Sequence, residues 1–184
     1  LRTAKANFHI GLIGRLEPVK RADLFIQTAE IILRQYCVNH TWHFHIIGDG
    51  KLKDALRRQV QNLGLDEHIT FHGHRNDIPS CILALNLVMM CSDHEGTPMT
   101  ALETLALGTL LVAHNTGGLS ELLESYPQLL VDSHTPEGYA SAVVAACIKP
   151  DIACTQLDAR YTANQNAANT LALYNQLLVG PTHE

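Results

Sequence analysis

Short, almost wholly apolar runs alternate along this chain with longer stretches whose apolar positions recur every three or four residues. The runs at 8–13 (FHIGLI), 42–47 (WHFHII), 68–73 (HITFHG), 86–91 (NLVMMC), 109–114 (TLLVAH) and 128–131 read as strands. The stretch 21–38 reads as a helix, with Leu24, Phe25, Thr28, Ile31 and Ile32 on one face. Further helices are expected over 52–63, 77–85, 98–107, 119–124 and 136–148. A long final one over 159–179 is expected to bury Leu171, Tyr174, Leu177 and Leu178. Thr97 is expected to cap the helix that follows it, with Pro98 at its first position. Strict alternation of strand and helix predicts an α/β fold: a doubly wound, Rossmann-like parallel sheet covered on both faces. The 184 residues read as one domain, with a weak break at Lys149-Pro150-Asp151 before the last helix.

Composition narrows this only a little. Apolar residues make up 46% and charged residues 17%, which suits a substantial core. The net charge of −5 argues against a broad nucleic-acid surface but not against a small anionic ligand. Five cysteines with no C-x-x-C pair read as reduced thiols of a cytoplasmic protein. No run is apolar for long enough to cross a membrane as a helix. A first residue of Leu rather than Met reads as a piece of a longer protein.

The unusual residues fall just after the strands. Gly14-Arg15 follows the first strand, Gly48-Asp49-Gly50 the second and Gly73-His74-Arg75 the third. Ser92 to Pro98 follows the fourth, and Asn115-Thr116-Gly117-Gly118 the fifth. In a parallel sheet these are the carboxyl ends, where ligands bind at the point of strand-order reversal. If the order is the common 3-2-1-4-5-6, Arg15 and Lys20 face Glu95, Gly96 and Thr97 across a crevice. Helix starts near Pro98 and Gly118 would offer free amides to an anion, and Arg15 and Lys20 would add two cations. Glu103, with Thr100 and Thr104 in a polar strip, would repel phosphate and accept bonds from hydroxyls instead. A ligand with both needs is a diphosphate bearing sugars. The 11 histidines lack carboxylate or cysteine partners at ligand spacing, so no metal site is expected. There is neither a G-x-S-x-G elbow nor a G-x-G-x-x-G turn.

Four segments, GLIGRLEPVKRADLFIQTAEII, FHIIGDGKLKDAL, ITFHGHRNDI and SDHEGTPMTALETLALGTLLVAHNTGGLSELL, together resemble the C-terminal domain of retaining group 1 (family 4) glycosyltransferases. The most specific features are Glu95 and Glu103 eight positions apart, Gly117-Gly118 before Glu121, and the G-R-L-x-P-x-K opening from Gly14 to Lys20. The resemblance implies one half of a two-domain GT-B enzyme. This half would bind a nucleotide-diphosphate sugar as donor substrate, with no metal or other cofactor. It further implies that Arg15 and Lys20 hold the diphosphate and Glu103 the ribose. Glu95, with the amides of Gly96 and Thr97, would hold the transferred sugar. Gly14, Gly48 and Gly50 would line the donor site, and His74 and Arg75 would flank the base. Glu95, Arg15 and Lys20 would be the catalytic set. Arg21 stands where the family often has Gly, and Leu110 where it often has Pro.

An N-terminal acceptor-binding domain, absent from this chain, would then be its partner, and a carbohydrate or a lipid-linked sugar the acceptor. The isolated half is expected to be inactive. The whole enzyme is expected in the cytoplasm, or held at a membrane through the missing half. A non-catalytic nucleotide-sugar-binding module and another GT-B-like enzyme, such as a sugar-nucleotide epimerase, are the alternatives.

Overall fold

The computed structural model describes residues 6–148 and 155–178. Six parallel strands form one sheet: β1 (Phe8–Ile13), β2 (Trp42–Ile47), β3 (Ile69–Gly73), β4 (Leu87–Met90), β5 (Leu110–His114) and β6 (Leu130–Val131). Their order is β3-β2-β1-β4-β5-β6. The helices are α1 (Ala22–Gln35), α2 (Lys53–Asn62), α3 (Ile78–Leu83), α4 (Met99–Ala106), α5 (Gly118–Leu122), α6 (Pro136–Ile148) and α7 (Ala163–Leu178). The α/β, doubly wound, Rossmann-like architecture is therefore the one the alternation predicts.

Burial explains the pattern. Every residue of β4 is buried, as is every residue of β1 after Phe8. A strand covered on both faces gains nothing from polar alternation. On one side of the sheet α1 packs against α6 and α2. Its Leu24, Phe25, Ile26, Thr28, Ala29 and Ile32 are buried, and Phe25 meets Phe44 edge-on with ring centroids 5.8 Å apart. Each buried Leu, Ile or Phe among them contributes about 1.5–3 kcal/mol through the apolar surface it removes from water.

Several boundaries differ from the expectation. Helix α1 stops at Gln35, and Val38 is exposed. Helix α4 begins at Met99, because Pro98 has extended dihedrals (φ −73°, ψ 126°) and is itself the cap residue. Thr97 is not the cap, and no side chain bonds into the first turn. Residues 127–129 form a 3-10 turn, which leaves β6 only two residues. The terminal helix begins at Ala163, because Thr162 is extended (ψ 150°) after a separate turn at Ala159–Tyr161. Its Leu171 and Tyr174 are each 61% exposed rather than buried. Periodicity drew an apolar face there, but α7 packs chiefly on the short turn before it. The side chains of Leu177 and Leu178, and the break at 149–151, lie outside the described residues.

A ladder of imidazoles ties three strands together. His9 Nδ1 lies 2.9 Å from His45 Nε2, and His45 Nδ1 lies 2.9 Å from His72 Nε2. A neutral His45 satisfies both links by donating through one nitrogen and accepting through the other. His45 is 1% exposed. Burial, then His43, His72 and His9, lower its pKa to about 3, and burial also lowers those of His43 and His72. The folded state thus resists a proton that the unfolded chain accepts near pH 6.5. Stability is complete above that pH and is lost as pH falls towards the folded values. Urea unfolding between pH 7 and pH 5 should show a loss on the order of 1 kcal/mol per pH unit below about 6.5. A flat profile would show that the ladder does not stay neutral.

Candidate functional site

Strands β1 and β4 are neighbours, and the strand order reverses between them. A cavity of about 420 Å³ opens at their carboxyl ends, within the range that small-molecule sites occupy. Gly14 and Arg15 line it from β1, Gly48 and Asp49 from β2, and His74 and Arg75 from β3. Met99, Thr100 and Glu103 close it from the first turns of α4. Met99 and Thr100 are the first two helical residues, so their amides have no carbonyl one turn back to bond. Arg15 is exposed and makes no ion pair among the described residues. Arg75 is committed already: its Nε and Nη2 donate to the two carboxylate oxygens of Asp77 at 2.8 and 2.6 Å.

Beside this cavity lies a second polar cluster. Lys20 Nζ donates to Glu95 Oε1 at 2.5 Å, and Ser92 Oγ donates to the same oxygen at 2.6 Å. Both bonds go to Oε1, leaving Glu95 Oε2 for another donor. Gly14 joins the two parts, since a Cβ there would lie 3.8 Å from Lys20 Cε. Behind the cluster, His114 Nδ1 lies 3.1 Å from the Ser92 carbonyl, which can only accept. His114 Nε2 must then accept from His134 Nδ1 at 3.0 Å. That leaves a lone pair on His134 Nε2, 3.6 Å from Asp93 Oδ1. Burial, with His114 nearby, lowers the His134 pKa and favours this neutral arrangement.

The structure brings most of the sequence-selected residues to one rim, in two groups. Arg15, Gly14, Gly48, His74, Arg75 and Glu103 share the cavity, whereas Lys20 and Glu95 pair with each other beside it. Gly96 and Thr97 are exposed on the Glu95 loop, outside the cavity lining. Gly50 is also outside it, and a Cβ there would lie 2.6 Å from the Leu16 carbonyl oxygen, so close packing requires it. Thr104 leaves the expected polar strip: it is fully buried, and its hydroxyl donates to the Thr100 carbonyl at 2.6 Å. The Gly118 amide is not free for an anion, because it donates to the Glu95 carbonyl at 3.2 Å. The sequence places the turns carrying Asp49 and Ser92 at this edge without giving those two residues a role, and it does not mark Met99. Their one signal was position at a strand or helix end. Among the described residues no group of three or more His, Cys, Asp or Glu side chains could hold a metal ion.

The family described as glycosyl transferases group 1 matches residues 2–165. This chain belongs to the group 1 glycosyltransferases. It is 26% identical over 137 residues to the poly(ribitol-phosphate) alpha-N-acetylglucosaminyltransferase of Staphylococcus aureus, covering 73% of this chain and 27% of the relative. It is 31% identical over 145 residues to the D-inositol 3-phosphate glycosyltransferase of Paenarthrobacter aurescens, covering 74% of this chain and 35% of the relative. The chain thus spans about a third or less of these relatives' length. Among solved structures it resembles S. aureus TarM in complex with fondaparinux, alpha-GlcNAc-glycerol and UDP, with a TM-score of 0.76 and 22% identity over 91% of this chain and 35% of that one. It also resembles the C-terminal domain of the group 1 family protein LpcC from Francisella tularensis, with a TM-score of 0.69 and 25% identity over 94% of this chain and 88% of that one. The six-strand order and this likeness identify the C-terminal GT-B half of a group 1 glycosyltransferase.

The glycine pair that marks this group 1 domain has a steric cause. Gly117 has φ 50°, and a Cβ there would lie 2.0 Å from the Glu95 carbonyl oxygen. Gly96 has open space around it. Gly117→Ala should therefore lower stability by about 2–4 kcal/mol and the Tm by roughly 4–15 °C. Gly96→Ala should stay within about 0.5 kcal/mol of the parent. Thermal unfolding of the two variants checks the contrast.

Proposed function

We propose that this chain is the donor-binding half of a retaining glycosyltransferase that uses a nucleotide-diphosphate sugar. The reading rests above all on one observation: Arg15, a cation without an ion-pair partner among the described residues, shares a cavity with Glu103 and the open amides at the start of α4. A diphosphate would take Arg15, Lys20 and those amides, while Glu103, deeper along the same helix, would accept the ribose hydroxyls. Glu95 Oε2 and the amides of Gly96 and Thr97 would meet the transferred sugar, and His74 and Arg75 would lie beside the base. The UDP in the TarM complex suits a pocket of this kind. We assign the acceptor site to the N-terminal half that the resemblance implies.

In the reaction the bond between the anomeric carbon and the diphosphate oxygen breaks, and its electron pair leaves with the diphosphate. The acceptor hydroxyl oxygen forms the new bond at that carbon with retained configuration and loses its proton. Arg15, Lys20 and the helix amides stabilise the negative charge that develops on the leaving group, and because they are already in place they need little reorganisation. A carboxylate already bonded to Lys20 and Ser92 keeps its second oxygen aimed by the first.

A thermal-shift panel of UDP, GDP, ADP and their sugars tests the reading. A true ligand at a hundred times its Kd should add about 2.7 kcal/mol of stability. Arg15→Ala should weaken the best diphosphate roughly ten- to a hundredfold, as expected for one charge-assisted contact. Glu103→Ala should weaken bare diphosphates as well. Glu95→Gln should chiefly reduce the preference for the sugar-bearing form, since the bare diphosphate does not reach Oε2. If Glu95→Gln and Glu103→Ala weaken the bare diphosphates equally, the separate roles are wrong.

A further inference from the structure

Arg21 holds left-handed dihedrals, φ 48° and ψ 45°, at the junction between the Pro18–Lys20 turn and α1. A residue with a Cβ is costly there, and the side chain of this one is fully engaged. Its Nε and Nη2 donate to Asp23 at 3.1 Å each, and its Nη1 donates to Asp93 Oδ1 at 3.2 Å. Asp93 is anchored in turn: its amide donates to the Val19 carbonyl at 2.9 Å, and its carbonyl accepts from Thr116 Oγ1 at 3.2 Å.

The placement matters because of the neighbours. Lys20 lies between Val19 and Arg21, both tied to Asp93, and Glu95 lies two residues beyond Asp93. The two ends of the Lys20–Glu95 bond are thus carried by segments that Arg21 and Asp93 clip together. We propose that Arg21 is a positioning residue for the donor: through Asp93 it holds the turn bearing Lys20 against the loop bearing Glu95. This rests on the function proposed above for that pair. Arg21 and Asp93 side chains are 32% and 40% exposed, so solvent screens their bond and its share of fold stability is small. What the bond fixes is direction, and a planar fork bonded to two carboxylates fixes it better than an ammonium does.

Arg21→Gly is the informative variant, because glycine accepts these dihedrals without strain. Titration calorimetry of this chain with UDP, GDP and ADP, beside thermal unfolding, gives the test. For Arg21→Gly the Tm should hold or rise while the Kd of the best-bound diphosphate weakens about three- to tenfold. Asp93→Asn should weaken it similarly, the double variant should be no worse than either single one, and Arg21→Lys should recover part of the loss. Unchanged binding in Arg21→Gly, with Arg15→Ala still impaired, would overturn this inference and leave the proposed function standing. A fall in Tm that tracks the loss of affinity, or additive single effects, would likewise overturn it. Failure of the parent chain to bind any of the three diphosphates would remove the proposed function and this inference together.

Discussion

Everything at the crevice depends on backbone packed directly against backbone. A Cβ on Gly48 would fall 1.8 Å from the Gly14 carbonyl oxygen, and one on Gly118 would fall 1.9 Å from the Gly96 carbonyl oxygen. Those contacts press the loop after β2 onto the loop after β1, and the loop after β5 onto the loop after β4. A methyl group at either place would push two strand ends apart. The cavity, which draws its walls from both sides of the β1–β4 junction, would then lose its depth. Gly48 and Gly118 are therefore spacers first, and of the two Gly48 also forms cavity wall.

With the loops so fixed, the polar groups divide into committed and uncommitted. The chain is net acidic, and most cations near the crevice are already neutralised: Lys20 by Glu95, Arg75 by Asp77, and Arg21 by Asp23 and Asp93. Lys53 is paired with Asp49 in the same manner. Among the described residues Arg15, an exposed part of the cavity lining, has no ion-pair partner, so an anion entering there meets an open cation and two open amides without first breaking an ion pair. Lys20 differs, because recruiting it means sharing its proton donors between Glu95 and the newcomer. An ammonium has three such donors, and its exposure of 24% leaves room for that sharing.

The sheet was legible because its signal is local and repeated. Runs such as LVMM are apolar at every position, and burial on both faces accounts for them. The crevice was legible for a different reason: each such turn is ordinary alone, but a parallel sheet gathers all five at one edge. The misses have other causes. Pro98 has the same φ as a helix start or as an extended cap, and only ψ, which no residue type declares, separates them. Leu171 and Tyr174 do lie on an apolar stripe, but a stripe says which side of a helix is apolar and nothing about what covers it. Thr104 was misjudged because a threonine inside a helix can satisfy its hydroxyl on the carbonyl four residues back. Glu95 and Lys20 were placed on facing loops, but their direct bond depends on side-chain reach across 75 positions of sequence.

Strain is distributed with the same economy. Among the described residues only Arg21 and His134 have positive φ without being glycine, at 48° and 39°. Arg21 donates to Asp93 Oδ1 at 3.2 Å, whereas the His134 ring donates to His114 Nε2 at 3.0 Å and only passes within 3.6 Å of that carboxylate. Two unfavourable backbone conformations on separate loops are therefore each held by a side-chain bond, one to Asp93 and one to His114. Strained residues persist where their surroundings over-determine them. Here Asp93 is held by the Val19 carbonyl and the Thr116 hydroxyl, and it serves as the fixed point for the strained turn that carries Arg21. A glycine at position 21 would remove the strain and, with it, the guanidinium that makes the turn before α1 answer to the loop after β4.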